Sequence, residues 1–156
     1  EIRKEPGVKK LATTTLATVL CLGLAHAHCQ IPCGIYGDDT RLSLLEEHAT
    51  TIEKSMKQIR ALSGSIRIAD ANQLVRWVTN KEQHADEVQE LVKQYFLAQR
   101  IKLPAAGADK RAYYRKLELL HRILVFAMKC KQTTELANVE KLRAAIHDFA
   151  HAYGQK

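Results

Sequence analysis

Residues 28–37, HCQIPCGIYG, hold the side chains that are best suited to bind a metal ion. His28 offers an imidazole, and Cys29 and Cys33 offer two thiolates four residues apart. If His28 is the N-terminal residue, its free amine and the Cys29 amide nitrogen close a five-membered chelate ring on a metal. The same amide and the Cys29 thiolate close a second ring, and the fixed φ of Pro32 helps Cys33 to turn back as a second sulfur ligand. The His28 imidazole is then left for an axial position.

The choice of metal follows from this ligand set. Two nitrogens and two sulfurs in a plane indicate Ni(II) or Cu(II) rather than zinc, which prefers tetrahedral sites. Copper has the higher raw affinity but oxidises thiolates, so we expect nickel. Amide and thiolate donors stabilise Ni(III), which brings a one-electron couple within reach. The alternative is that the two cysteines form a disulfide in an oxidising compartment.

The segment before His28 resembles a cleavable leader. Lys9 and Lys10 precede the apolar run LATTTLATVLCLGLA, which ends in small residues at Ala25 and Ala27. We therefore predict a leader over residues 1–27, removed by a processing protease, which would create the amine ligand on His28. Export to the periplasm or the exterior follows, with no stable membrane insertion after processing. A disordered or membrane-grazing N-terminus is the alternative, and a dedicated protease could instead act in the cytoplasm.

Composition narrows the class of function only slightly. The 156-residue chain carries a formal net charge of +7, which falls to +5 once the leader, with four cationic and two anionic side chains, is removed. No basic stripe with interleaved aromatic residues is present, so we expect no nucleic-acid partner. With Cys21 lost, three cysteines remain, and an odd number argues against a pure disulfide framework. Cys130 is interpreted as a thiol at a helix end.

The rest of the chain predicts an all-α fold, an antiparallel four-helix bundle over residues 39–156 that follows the short metal-binding segment 28–37. Together they form one domain, 28–156. Apolar residues recur three and four apart in four stretches, and the first two breaks between them contain glycine or proline. The predicted helices run over about 39–63, 69–100, 109 onwards and 134–153. Asp38, Asp39 and Thr40 offer capping side chains for the first helix. The apolar stripe of the second is interrupted by charged residues over 81–84.

The sequence HCQIPCGIY resembles the nickel hook of nickel-containing superoxide dismutase, a family whose mature chains begin H-C-x-x-P-C-G-x-Y. The helical part is similar too, in the run DD…R…LLEEH…TIEKSMKQI and in QYF. The resemblance implies one nickel ion per subunit, held by the His28 amine and imidazole, the Cys29 amide and thiolate and the Cys33 thiolate. It also implies a homohexamer of four-helix bundles that converts superoxide to dioxygen and hydrogen peroxide by cycling between Ni(II) and Ni(III).

The same resemblance implies roles for residues around the metal. Tyr36, which closes the motif, stands over the open face and controls the approach of substrate. Family members hold the axial imidazole with a glutamate of the first helix and a basic residue of the second. Glu46 and Glu47 both fit the first position, and His84 corresponds to the second. Tyr95, in QYF, resembles a second tyrosine near the active site.

Two other functions fit the same residues. One is an exported carrier that binds nickel or copper at the N-terminal site, and the other is a thiol-redox or interaction protein that uses the two motif cysteines as a dithiol. A tyrosine placed over the metal favours the enzyme, because a carrier has no need to gate a small anion. His147 and His151 have metal-ligand spacing, but a solvated helix face is the simpler interpretation. His48 and His121 are interpreted as ordinary helix residues.

Overall fold

Helices account for almost all of the chain that the structure describes. The computed structural model describes residues 37–65 and 67–154. In this part there are four α-helices and no strand: α1 is Asp38–Leu62, α2 is Ile68–Glu90, α3 is Arg111–Gln132 and α4 is Leu136–Gly154. A π-helical segment, Leu91–Arg100, continues α2. The prediction of an all-α chain with four helices is confirmed.

The four helices form a bundle around one apolar core. α1 packs against α2 and α4, and α3 packs against the same two helices. Contacts between α1 and α2 run in opposite order along the two helices, since His48 meets His84 while Ser55 meets Asn80. These two helices are therefore antiparallel, as predicted, and so are α2 and α3, since Lys81 meets Cys130 while Gln89 meets Leu124. Each contributes a stripe at spacings of three and four, and the largest fully buried side chains include Leu45, Ile52, Met56, Phe96, Leu119, Leu120, Ile123, Leu142, Ile146 and Phe149.

The start of α1 differs from the prediction. The N-cap is Gly37, which has an extended backbone (φ −72°, ψ 143°), and no side-chain hydrogen bond caps the helix. The expectation that Asp38, Asp39 or Thr40 would supply a capping side chain is therefore wrong. The two carboxylates still lie in the first turn, where negative charge is favourable beside the positive end of the helix dipole. The Asp38 carboxylate instead contacts other elements of the fold.

The π-helical segment changes which side chains are neighbours. Its hydrogen bonds join residues five apart, as in the 2.9 Å bond from the Ile101 N–H to the Phe96 carbonyl. Side chains at positions i and i+5 are consequently stacked, and this brings Arg100 onto Tyr95. The predicted second helix, 69–100, is correct in extent but is made of two helical types.

Two predicted breaks contain glycines in the left-handed region. Gly64 has φ +91° and Gly107 has φ +79°, backbone conformations that other residues adopt at a cost. They end the turns that separate α1 from α2 and the π-helical segment from α3. Over residues 37–65 and 67–154, no helix is both long enough and apolar enough to cross a bilayer.

Candidate metal centre

The metal-binding segment itself lies almost wholly outside the described residues. This applies to five of the predicted site residues, namely His28, Cys29, Pro32, Cys33 and Tyr36. Gly37, the last residue of the segment, is described and leads directly into α1. The predicted leader, 1–27, lies outside as well. Within residues 37–65 and 67–154 no group of three or more histidine, cysteine, aspartate or glutamate side chains could hold a metal ion.

His84 forms a pair with a second histidine. Its Nδ1 lies 2.8 Å from Nδ1 of His48, and the two rings are tilted by 52° with centroids 5.0 Å apart. Both side chains are half-buried where α1 meets α2. One Nδ1 must donate and the other accept, so the hydrogen bond fixes complementary tautomers. His48 therefore holds the ring of His84 in a set orientation.

The environment of this pair disfavours a second positive charge. Burial lowers the pKa of His48, and the charge of His84 lowers it further. The carboxylates of Glu87 and Glu47 act in the opposite direction and only partly offset the decrease. At neutral pH His48 is therefore uncharged, and its ring remains able to share a hydrogen bond with Nδ1 of His84.

The two candidate glutamates occupy different sides of α1. Glu46 faces α4, where its Oε2 lies 3.6 Å from Nη1 of Arg143. The same guanidinium is held more closely by Glu53, at 2.6 Å. Glu47 acts electrostatically on His48, which faces α2. Glu47 is thus close enough to His48 to act on its charge, whereas Glu46 is near Arg143 of α4.

Tyr95 is buried at the end of the bundle where the metal-binding segment joins it. The ring is 5% exposed, and its hydroxyl donates to Oδ1 of Asp38 across 2.6 Å. Nη2 of Arg100 donates to the same hydroxyl oxygen across 2.8 Å. Burial raises the pKa of Tyr95, and the Asp38 carboxylate raises it further, so the phenol stays protonated. The phenol is therefore tied to Asp38, which follows Tyr36 by two residues.

The break in the apolar stripe of the second helix is explained by a buried lysine. Lys81 is 3% exposed, and its Nζ donates to the carbonyl of Cys130 across 2.7 Å and also to the carbonyl of Lys131. These carbonyls belong to the last turn of α3, which lacks further residues to bond them. Glu82 pairs with the same ammonium at 2.8 Å. Lys81 thus joins α2 to α3 one turn before His84.

The remaining cysteine and histidine residues considered from the sequence lie where they were expected. Cys130 is a free thiol in the last turn of α3, and burial raises its pKa to about 11, so it is unreactive at neutral pH. His147 and His151 are both exposed with rings 4.8 Å apart, in agreement with a solvated face. His121 is exposed as well.

Sequence reasoning missed four residues of this region: His48, Asp38, Arg100 and Tyr153. His48 had no local signal, because a single histidine beside an apolar stripe is common in helices. Arg100 could have been found only by considering a five-residue repeat after QYF. Asp38 and Tyr153 could not be found from any local pattern, because Asp38 is 57 positions from Tyr95 and 115 positions from Tyr153.

The chain matches one protein-family model over residues 24–156, and that model describes nickel-containing superoxide dismutase. The matched range contains both the metal-binding segment and the four helices. No match was found among curated proteins, and none among solved structures.

Proposed function

The chain belongs to the nickel-containing superoxide dismutase family, and from this membership we propose how its own residues form and serve the catalytic centre. As a nickel-dependent superoxide dismutase it is an oxidoreductase. Two superoxide ions and two protons give one dioxygen and one hydrogen peroxide. The observation that carries the residue-level proposal is the spacing H-C-x-x-P-C-G-x-Y at residues 28–36, inside the matched range.

The proposed ligands are His28, Cys29 and Cys33. The donor set fits the metal, because thiolate, amine, amide and imidazole groups suit nickel, whereas the motif contains no carboxylate. Nickel bound there, one ion per subunit, supplies a one-electron couple between Ni(II) and Ni(III). The chain provides the amine by losing residues 1–27, provides the turn through Pro32 and limits the approach of substrate with Tyr36.

The orientation of the His28 imidazole is assigned to Glu47 and the pair His48–His84. Support comes from the contact of His48 with His84 and from the electrostatic effect of Glu47 on His48. Glu46, in contrast, lies near Arg143 of α4. A histidine whose tautomer is fixed by a second histidine presents a defined ring nitrogen to its surroundings. Histidine ligands generally need such a partner to hold the ring, and the partner tunes the metal.

We also propose the maturation and assembly that the sequence indicates. A processing protease cleaves between Ala27 and His28, the mature chain is exported, and homohexamers form. Cleavage within the cytoplasm by a dedicated protease is the alternative. Assembly is supported by two exposed apolar side chains seven residues apart on α2, Ile68 (91% exposed) and Val75 (65%), a spacing that places both on one face of the helix.

The ligand assignment is tested by Cys29→Ser and Cys33→Ser in the mature protein. A hydroxyl is a much poorer donor to nickel than a thiolate, so both variants should lose the sulfur-to-nickel absorption and the dismutase activity while keeping their helical circular dichroism. Cys130→Ser is the matched control, since it removes a thiol from the core of the bundle. It should keep nickel and activity and lose only thermal stability. Retained activity in either motif variant would refute the assignment.

A further inference from the structure

Three side chains converge on the first residue of α1. Oδ1 of Asp38 accepts the hydroxyl of Tyr95 at 2.6 Å, and Oδ2 accepts the hydroxyl of Tyr153 at 2.9 Å. Nε of Arg100 lies 2.8 Å from Oδ1. These four residues, which we name the Asp38 clamp, come from α1, the π-helical segment and the end of α4. One carboxylate therefore ties three elements together at one end of the bundle.

The ionisation states of the clamp residues agree with their hydrogen bonds. Burial works against ionisation of Asp38, but the hydrogen bonds from the two tyrosines and the charge of Arg100 outweigh it, so the pKa of Asp38 is lowered. Burial, and then the neighbouring carboxylate, raise the pKa of Tyr153 to about 12. At neutral pH there is accordingly one ionised acceptor, with two phenol donors and one guanidinium around it.

The tyrosines of the clamp are anchored in the core. Phe96 packs edge-on against Tyr95, Tyr153 and Phe149, with ring centroids 4.9 to 5.6 Å apart. Phe96 and Phe149 are fully buried. A close-packed aromatic cluster of this kind does not shift to follow a displaced partner. Asp38 is thus held at a position that the core determines.

Chain connectivity makes this position important for the metal-binding segment. Asp38 follows Tyr36 by two residues and Cys33 by five. An extended chain spans at most about 3.6 Å per residue, so the place of Asp38 limits how far Tyr36 and Cys33 can lie from the bundle. A shift of Asp38 therefore moves the point from which the residues proposed to bind and shield the metal must reach.

We propose that the Asp38 clamp is a positioning device for the nickel centre, which fixes the point where residues 28–37 leave the bundle. Asp38 acts as a positioning residue through the chain that follows Cys33 and Tyr36, without touching the metal. The proposal rests on the proposed function, because residues 28–33 must hold nickel for it to apply. It also explains why a carboxylate in the first turn of α1 has tyrosine and arginine partners rather than a capping role.

The test compares Asp38→Asn with Asp39→Asn in the mature, nickel-loaded protein. Both remove one negative charge from the first turn of α1, but Asp39 is exposed and has no ion pair or hydrogen bond within the described residues. Asp38→Asn should release nickel to a chelator about five- to tenfold faster and broaden the Ni(III) electron spin resonance signal. Asp39→Asn should match the unmodified protein in both measurements.

A second pair separates positioning from folding. Tyr153→Phe removes one hydroxyl from the clamp and keeps the ring, and it should accelerate nickel release by about two- to fivefold. Tyr114→Phe, at a side chain that is 58% exposed, is its control and should change nothing. In metal-free protein, hydrogen exchange of the amides of residues 37–41 should be faster in Asp38→Asn than in Asp39→Asn.

The outcomes distinguish failure of the positioning role from failure of the proposed function. Unchanged nickel release and an unchanged resonance signal in both clamp variants would overturn the positioning role, even if both were less stable. If Asp38→Asn fails to fold, Tyr153→Phe decides. Absence of nickel from the unmodified mature protein would overturn the proposed function, and with it the purpose assigned to the clamp, whatever the hydrogen exchange shows.

Discussion

Replacing Lys81 by methionine tests how the bundle holds α2, the helix that carries His84. Methionine keeps most of the aliphatic stem, and it removes the ammonium that donates to the carbonyls of Cys130 and Lys131. Because Lys81 is 3% exposed, no water can take the place of the ammonium without repacking. The substitution therefore leaves the end of α3 without a donor.

The size of the effect follows from two opposing contributions. A buried acceptor that loses its partner costs about 1–3 kcal/mol, and the contact with the Cys130 carbonyl is buried while that with Lys131 is half-buried. Against this, methionine no longer requires an ammonium to be withdrawn from water. Glu82 is 36% exposed and can be hydrated once its partner is gone. We expect the free energy of unfolding to fall by about 1–3 kcal/mol.

The assay is urea unfolding of metal-free protein followed by circular dichroism, which separates a change in midpoint from a change in slope. Lys93→Met is the matched control, since Lys93 also pairs with a nearby glutamate but is about half exposed. Exposed pairs contribute little, so that variant should lie within about 0.5 kcal/mol of the unmodified protein. Equal stability of the two variants would refute the role given to Lys81.

Three further results are expected. His48→Gln should flatten the decrease in stability as the pH falls below about 6.5, because the depressed pKa of folded His48 makes the unfolded chain bind the proton first; an unchanged slope would contradict the lowered pKa of His48. Glu47→Gln should lower the pKa of His48 measured by nuclear magnetic resonance, whereas Glu46→Gln, on the side of Arg143, should leave it unchanged; equal effects would contradict the separation of the two glutamates. His28→Ala keeps the terminal amine, so it should retain nickel yet lose at least about tenfold in activity and the axial-nitrogen splitting of the Ni(III) resonance; full activity would refute the axial role.

The helices were predictable because their signal is local. Burial of Leu45, Ala49, Ile52 and Met56 follows directly from their spacing, and Gly64 ends α1 where the sequence predicts a break. The π-helical geometry was not predictable in the same way. Its buried residues Val92, Tyr95 and Phe96 are spaced three and four apart, which fits an ordinary α-helix equally well.

The surroundings of the site were only partly predictable. The resemblance directed attention to His84 and Tyr95, and the sequence supplies no way to find their partners. His48 and His84 are 36 residues apart, and Asp38 meets Tyr153 across 115. Such contacts depend on how antiparallel helices align, which a pattern along one helix does not specify. Lys81 was visible as a break in the stripe, but its acceptors lie 49 and 50 residues further on.

The intact mass of the native protein, measured together with its metal content, tests the central claim most directly. The claim is that the N-terminal amine of His28 is created by processing and then binds nickel. We expect a mature chain that begins at His28, with one nickel ion per chain and dismutase activity that disappears when the metal is removed. A mature terminus at any other residue, even one position upstream, or active protein without nickel, would contradict the account.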